Sequence, residues 1–304
     1  MGKVCFVDDN FRLSKCFVNR NYVELADKIE QEKESLTFYQ EAGELIAGYH
    51  ITKNEPLSIL FQRTFYVVRF VFKDVDTMHD AEQEKCMTEL FMVLKSHIET
   101  EKGYYNLRLP SHIVDAVKAY NAIFKEGYFC GGTVEELIHG KKVEYQLKGG
   151  IKVFFGDLEY INKHKKVLME MTLESFKTYQ GQYHISPITE KKAGQIYENW
   201  IKYSLDHCNG KDIVVAEYNQ IPIGFVTIAE KESAVEGVLS AVQSEYRQFG
   251  AYRAMISFLV NDAFEKEKSF ITSTQFDNFI VQGVWNSIGL KPFYSIYNFH
   301  IDKR

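Results

Sequence analysis

SAVQSEYRQFGAYRAMI, residues 240 to 256, joins an apolar, β-rich run to a segment of helical spacing. Upstream, VEGVLSAV (235–242) reads as a strand. Downstream, Ala251, Ala254, Met255, Phe258 and Leu259 recur at helical intervals before the exposed run EKEK at 265–268. A helix N-terminus offers unpaired amides and the positive end of its dipole, and a glycine there lets a phosphate approach the backbone. Gly250 stands at that junction, and Arg247 three residues earlier adds a fixed cation suited to a pyrophosphate or a 3′-phosphate. Taken alone, one glycine and one arginine suit a plain strand-to-helix turn better than a phosphate site, so the surrounding elements have to decide.

Those elements form a consistent series. After Ser186-Pro187-Ile188-Thr189, the apolar positions Ala193, Ile196, Tyr197, Trp200, Ile201 and Leu205 predict an amphipathic helix. DIVVAE (212–217), IGFVTIA (223–229) and the run at 235–242 predict three strands in a meander. Phe270 to Thr274 predicts a strand, and Ile280, Val281, Val284, Trp285 and Ile288 a helix that Gly289 ends. Phe293 to Ile301 predicts the last strand. The first half carries a faint copy of this ending: YYNLRL (104–109) as strand, Ile113 to Phe124 as helix, then Gly127 before Tyr128-Phe129. The charged, strand-like stretch KKVEYQLK (141–148) precedes Gly149-Gly150, which predicts two domains, 1–148 and 149–304. A strand at Val153–Phe155 and a helix over Asp157–Phe176 open the second.

Composition removes several classes of function. At 304 residues, 45% hydrophobic with 5 prolines, the chain has apolar mass for packed cores. The net charge of −5 argues against nucleic acid and anionic lipid as bulk partners. No window approaches the roughly 18 apolar residues of a membrane span, and MGKVCFVDDN lacks an apolar signal core, so a cytoplasmic protein is expected. Met1-Gly2 opens like a myristoylation site, but Phe6 stands where Ser or Thr is wanted. The five cysteines are scattered, as reduced thiols would be, and the nine histidines form no metal-ligand spacing. Neither a GxSxG elbow nor a GxxxxGK[ST] loop occurs, and no metal is expected.

In this setting Arg247-Gln248-Phe249-Gly250-Ala251-Tyr252 resembles the Q/R-x-x-G-x-G/A loop of the GNAT acyltransferases, and TQFDNFIVQGVWNSIGL (274–290) is similar to the family's TQxxN...Q...Y...LG segment. The resemblance implies an α/β (α+β) fold with a mixed, mostly antiparallel sheet flanked by helices, preceded by a degenerate GNAT-like domain. It implies acetyl-coenzyme A as acyl donor. Arg247, Gln248, Phe249, Gly250, Ala251 and Tyr252 would hold its pyrophosphate, Ala241 and Val242 its pantetheine arm, and Asn278 and Trp285 would lie along the cofactor. A narrower likeness, in residues 104–129 and 171–205, is to the two-domain dTDP-fucosamine and related sugar-amine N-acetyltransferases. It implies a nucleotide-linked aminodeoxy sugar as substrate, a place in the supply of surface-polysaccharide precursors, and no nucleic-acid or membrane partner. A homodimer stays open.

Acyl transfer to an amine needs an uncharged nucleophile, a stabilised oxyanion and a proton for the departing thiolate. Glu236, at the start of its strand, is a candidate proton acceptor through water or a solvated strand-end carboxylate. Two departures from the family pattern stand out. Trp285 occupies the place of the thiolate-protonating tyrosine, and an indole N–H is no acid. Tyr252 replaces the last small residue of the phosphate loop. Tyr294, Tyr297 and water are candidate replacement acids, the two tyrosines being otherwise core aromatics. His184 is a substrate contact or a surface-loop histidine, Trp200 a sugar-stacking platform or core, and Asn278 a cofactor contact or a helix cap. Two rivals remain: a non-catalytic acyl-coenzyme A-binding module, and an enzyme acting on a protein or polyamine amine, which would want an acidic groove.

Overall fold

A computed structural model describes residues 36–41, 44–72, 80–111, 113–147 and 149–304. Met1-Gly2, Cys5 and Cys16 lie outside the described residues; Cys86, Cys130 and Cys208 form no disulfide. In chain order the elements are β1 (Leu36–Glu41), β2 (Glu44–Lys53), α1 (Glu55–Phe61), β3 (Phe65–Phe72), α2 (Asp80–Thr100), β4 (Gly103–Pro110), α3 (Val114–Ile123) and β5 (Tyr128–Ile138). There follow β6 (Ile151–Phe155), α4 (Leu158–Lys177), α5 (Gln182–Ile185), α6 (Ala193–Asp206), β7 (Ile213–Tyr218), β8 (Ile221–Glu230), β9 (Ala234–Val242), α7 (Ala251–Glu265), β10 (Ser269–Gln275), α8 (Phe279–Ile288) and β11 (Lys291–Lys303). The fold is mixed α/β, with mostly antiparallel strands flanked by helices.

The chain forms two compact units. Among the described residues, the first holds those up to Thr133, Ile185–Ile188 and Tyr294–Arg304; the second holds those of Val134–His184 and Thr189–Phe293. The division thus falls inside β5, whereas the sequence places a domain boundary near residue 148. The stretch 141–147, which looks strand-like, is irregular. Its backbone is satisfied by a side chain instead: Asn261 accepts from Val143 N–H at 2.7 Å and donates to Val143 C=O at 2.9 Å, as a neighbouring strand would.

In the first unit β1, β2 and β3 run antiparallel in succession, β4 is parallel to β3, and β11 pairs antiparallel with β4 from Ile296↔Pro110 to Lys303↔Gly103. Its core gathers Tyr49, Phe70, Phe91, Leu107, Tyr120 and Phe299. In the second unit β6, β7, β8 and β9 run antiparallel and β10 is parallel to β9. Helices α7 and α8 cover one face through Met255, Leu259 and Trp285, and α4 with α6 covers the other, Leu168 and Ile201 packing with Phe225 of β8 and Leu239 of β9. The order parallel strand pair, helix, closing strand occurs in both halves, as β3–β4–α3–β5 and β9–β10–α8–β11. The faint repeat in the sequence is therefore visible in the element order. Gly289 ends α8 at φ +106°, a conformation that favours glycine.

Candidate active site

The site starts where two parallel strands part. β9 and β10 pair only from Ser269↔Ala234 to Thr272↔Gly237, although β9 runs on to Val242 and β10 to Gln275. The cause lies on the other edge of β9. Opposite β8 the register steps from Thr227↔Leu239 to Ile228↔Gly237, so Val238 is an extra, bulged residue. A bulge bends its strand and reverses the side to which later backbone groups point. Leu239 N–H reaches Thr227 Oγ1 at 3.0 Å and Gln243 N–H reaches Ile223 C=O at 2.9 Å, both towards β8. Alternation then turns the amides of Ser240 and Val242 to the β10 side, past the end of the ladder. Of the two residues expected along a pantetheine arm, Val242 turns its amide to the β10 side and Ala241 to β8; Ser240, not singled out in the sequence, shares the side of Val242.

The turn that follows is open. Gln243 leads into a 3₁₀ turn, Ser244–Phe249, and Gly250 at φ +76°, ψ 14° starts α7. No side chain caps this helix and its first turn holds no acid, so the amides of Ala251, Tyr252 and Arg253 have no intrahelical acceptor. A Cβ placed on Gly250 would meet nothing within 4 Å. Arg247 and Gln248 are exposed, and Phe249 packs on Tyr246 and Tyr218 at ring distances of 5.4 and 5.8 Å. Arg253, unremarked in the sequence, is fixed by Ser287, with Nη1 donating to Oγ at 3.0 Å. Two arginines at the positive end of a helix dipole oppose it, and an anion seated there would offset both. The residues present therefore fit a diphosphate.

Tyr252 turns away from that mouth. Its ring points inward and Trp285 Nε1 donates to its hydroxyl at 3.0 Å. Burial pushes the phenol up to about 12, with the Ser240 hydroxyl, the Glu136 carboxylate and the Tyr179 phenol as further influences. Glu136, on the β5 segment of this unit, is wholly buried, and neither carboxylate oxygen has a hydrogen-bond partner. Burial raises its pKa from 4.5 to about 7. Tyr179 reaches the end of β10 at Thr274 and Gln275, and burial raises its phenol too. Glu136 escaped the sequence reading because it lies in the first half; an acid inside the apolar strand VEELI was the only signal.

The other candidates disperse. Glu236 lies in the closed part of the β9–β10 ladder, opposite Ile271, and pairs with Lys231 at 2.6 Å. Asn278 does not cap α8; its amide donates to Thr274 Oγ1 at 2.9 Å. Tyr294 and Tyr297 belong to the first unit, where Tyr297 contacts the Phe129 ring at 5.7 Å. His184 and Trp200 are brought together, each stacked on Tyr197, at 5.6 and 6.4 Å. Burial lowers the His184 pKa, and its Nδ1 has no partner. Between α4 and the end of β9 lies a groove of about 220 Å³ whose lining includes Glu170, Glu174, Gln243 and Glu245. Among the described residues no helix is long and apolar enough to cross a membrane.

No family model matches the sequence, and no curated protein matches it. The fold, however, is shared with solved structures. A GCN5-related N-acetyltransferase from Sphaerobacter thermophilus superposes with a TM-score of 0.60 at 10% identity, covering 91% of this chain and 85% of that one. A functionally unknown conserved protein from Staphylococcus epidermidis gives 0.54 at 14% identity, covering 91% and 98%. An acetyltransferase of the GNAT family from Colwellia psychrerythraea gives 0.50 at 10%, covering 88% and 85%. The chain has the fold found in GCN5-related N-acetyltransferases, and these likenesses carry the fold alone.

Proposed function

We propose that the protein is an N-acetyltransferase that moves an acetyl group from acetyl-coenzyme A to an amine. The observation that carries this reading is the parting of β9 and β10 directly before an uncapped, glycine-led helix N-terminus with two arginines. The amides of residues 251–253, with Arg247 and Arg253, would grip the diphosphate; the Ser240 and Val242 amides would pair with the pantetheine arm. The donor supplies an activated thioester. What the chain contributes is alignment, worth up to ~7–11 kcal/mol in favourable cases, and fixed backbone donors for developing negative charge.

For the acceptor, the likeness of residues 104–129 and 171–205 to sugar-amine acetyltransferases supports a nucleotide-linked aminodeoxy sugar, with the His184–Tyr197–Trp200 stack as its aromatic wall. The first unit is then a degenerate copy of the second. A second reading is favoured by Glu170, Glu174 and Glu245 in the groove beside the end of β9: three carboxylates suit a cationic acceptor, a polyamine or a protein amine, and repel a nucleotide diphosphate. Titration calorimetry with acetyl-coenzyme A, then turnover on paired panels of nucleotide aminosugars and of polyamines and peptides, tests both. Heat of binding with turnover on one panel is expected. Absence of heat removes the donor, and heat without turnover on either panel leaves a binding module.

A further inference from the structure

We propose, resting on the donor reading above, that a cavity between α7 and the stretch 143–146 holds the nucleotide end of the donor, Tyr145 stacking on the adenine base and Arg253 meeting the 3′-phosphate. The cavity measures about 720 Å³ and is lined by Val143, Glu144, Tyr145, Gln146, Arg253 and Asn261. All six belong to the second unit. Its volume lies within the roughly 300–1,000 Å³ common among ligand sites. Arg253 and Asn261 are two turns apart on α7, so the cavity follows the helix for about 12 Å. Arg253 belongs to the uncapped first turn and also lines the cavity. With the pantetheine arm directed to the parted strands, the nucleotide end leaves the diphosphate on its other side, and Arg253 joins the helix start to this cavity.

The wall facing α7 is the irregular stretch between β5 and β6, and it is anchored at one end. Asn261 bonds both the N–H and the C=O of Val143, and Lys142 pairs with Glu265 at 2.6 Å. Past that anchor, the side chains of Glu144, Tyr145 and Gln146 make no hydrogen bond, ion pair or ring contact with the described residues. Tyr145 is nonetheless half-buried, and burial raises its phenol. A ring sheltered without a ring partner keeps a face for a flat base. Gln146 carries the donor and acceptor that match the N6 and N7 edge of adenine. Glu144 accepts from the same amino group and opposes the carbonyl that guanine has in its place. Arg253 gives N–H groups to Ser287 at 3.0 and 3.4 Å and keeps others for a phosphate. The family likeness rests on residues 240–256 and 274–290, so the wall at 144–146 is this chain's own.

Calorimetry with adenosine 3′,5′-bisphosphate reads this cavity without any acyl chemistry. The parent chain is expected to bind it, and to bind guanosine 3′,5′-bisphosphate roughly tenfold or more weakly. Y145A is expected to weaken the adenosine ligand by roughly 5–150-fold, and Y145F, which keeps the ring, to restore it. With acetyl-coenzyme A and an accepted amine, Y145A is expected to raise KM, and the penalty to vanish with S-acetyl-4′-phosphopantetheine, which lacks the nucleotide. R253Q is expected to narrow the preference for acetyl-coenzyme A over its 3′-dephospho form. Absence of bisphosphate binding, binding that Y145A leaves unchanged, or an equal penalty with the truncated donor overturns the proposal even where acetyl-coenzyme A binds. Absence of heat with acetyl-coenzyme A overturns the function reading instead, and the bisphosphate titration still decides what the cavity holds.

Discussion

Glu136 gives folding a pH dependence of definite sign. Its carboxyl titrates at about 7 in the folded chain against 4.5 when exposed, so the folded state holds its proton more tightly. Stability from this group is complete below the unfolded value and is lost as pH rises through the folded one. At 1.36 kcal/mol per pH unit the difference amounts to about 3 kcal/mol. E136Q, which has no charge to bury, is therefore expected to gain on the parent chain with pH: under about 1 kcal/mol at pH 5 and about 3 kcal/mol at pH 8 in urea midpoints. A gap that is constant with pH would show that Glu136 does not titrate in the fold. A carboxylate held at such expense is the kind of feature function retains. Nothing local in VEELI distinguishes Glu136 from Glu135 beside it; only the packed structure shows which of the two is buried with its oxygens unpartnered.

The strand–turn–helix of β9 and α7 was largely legible, because its parts are set by short-range periodicity. Predicted strand 235–242 and observed Ala234–Val242 nearly coincide, and the helix begins at Ala251, directly after Gly250. What periodicity did not show is the bulge at Val238, which puts the amide of Ser240, not that of Ala241, on the β10 side. Gly250 offers a test of the turn. At φ +76° a β-branched residue is strained by about 1–3 kcal/mol, yet the open space around its Cβ position leaves the fold intact. G250V is expected to raise the KM for acetyl-coenzyme A at least about tenfold (about 1.4 kcal/mol of binding) while kcat changes less, because the added methyls stand where the phosphates would. Unaltered donor affinity in steady-state kinetics would move the diphosphate elsewhere.

Most of β11, from Tyr294 on, belongs to the first compact unit, and the end of β5, from Val134 on, belongs to the second. Deleting residues 294–304 removes the partner of β4 over eight register pairs and takes Phe299 and Ile301 out of the first unit's core, at about 1.5–3 kcal/mol for each side chain. Hydrogen exchange at Tyr105–Leu109 is expected to lose its protection in the shortened chain; protection that survives would mean β4 does not depend on β11. The amino-acid sequence by itself determined the succession of helices and strands, the glycine-led turn and the departures at Trp285 and Tyr252, since each is written in neighbouring residues. Tertiary structure alone decided which strands lie together, and with them the meeting of Tyr252 and Trp285 and the burial of Glu136. Strand neighbours are chosen by the burial of shared apolar faces over long stretches of chain, and local spacing holds no record of that choice.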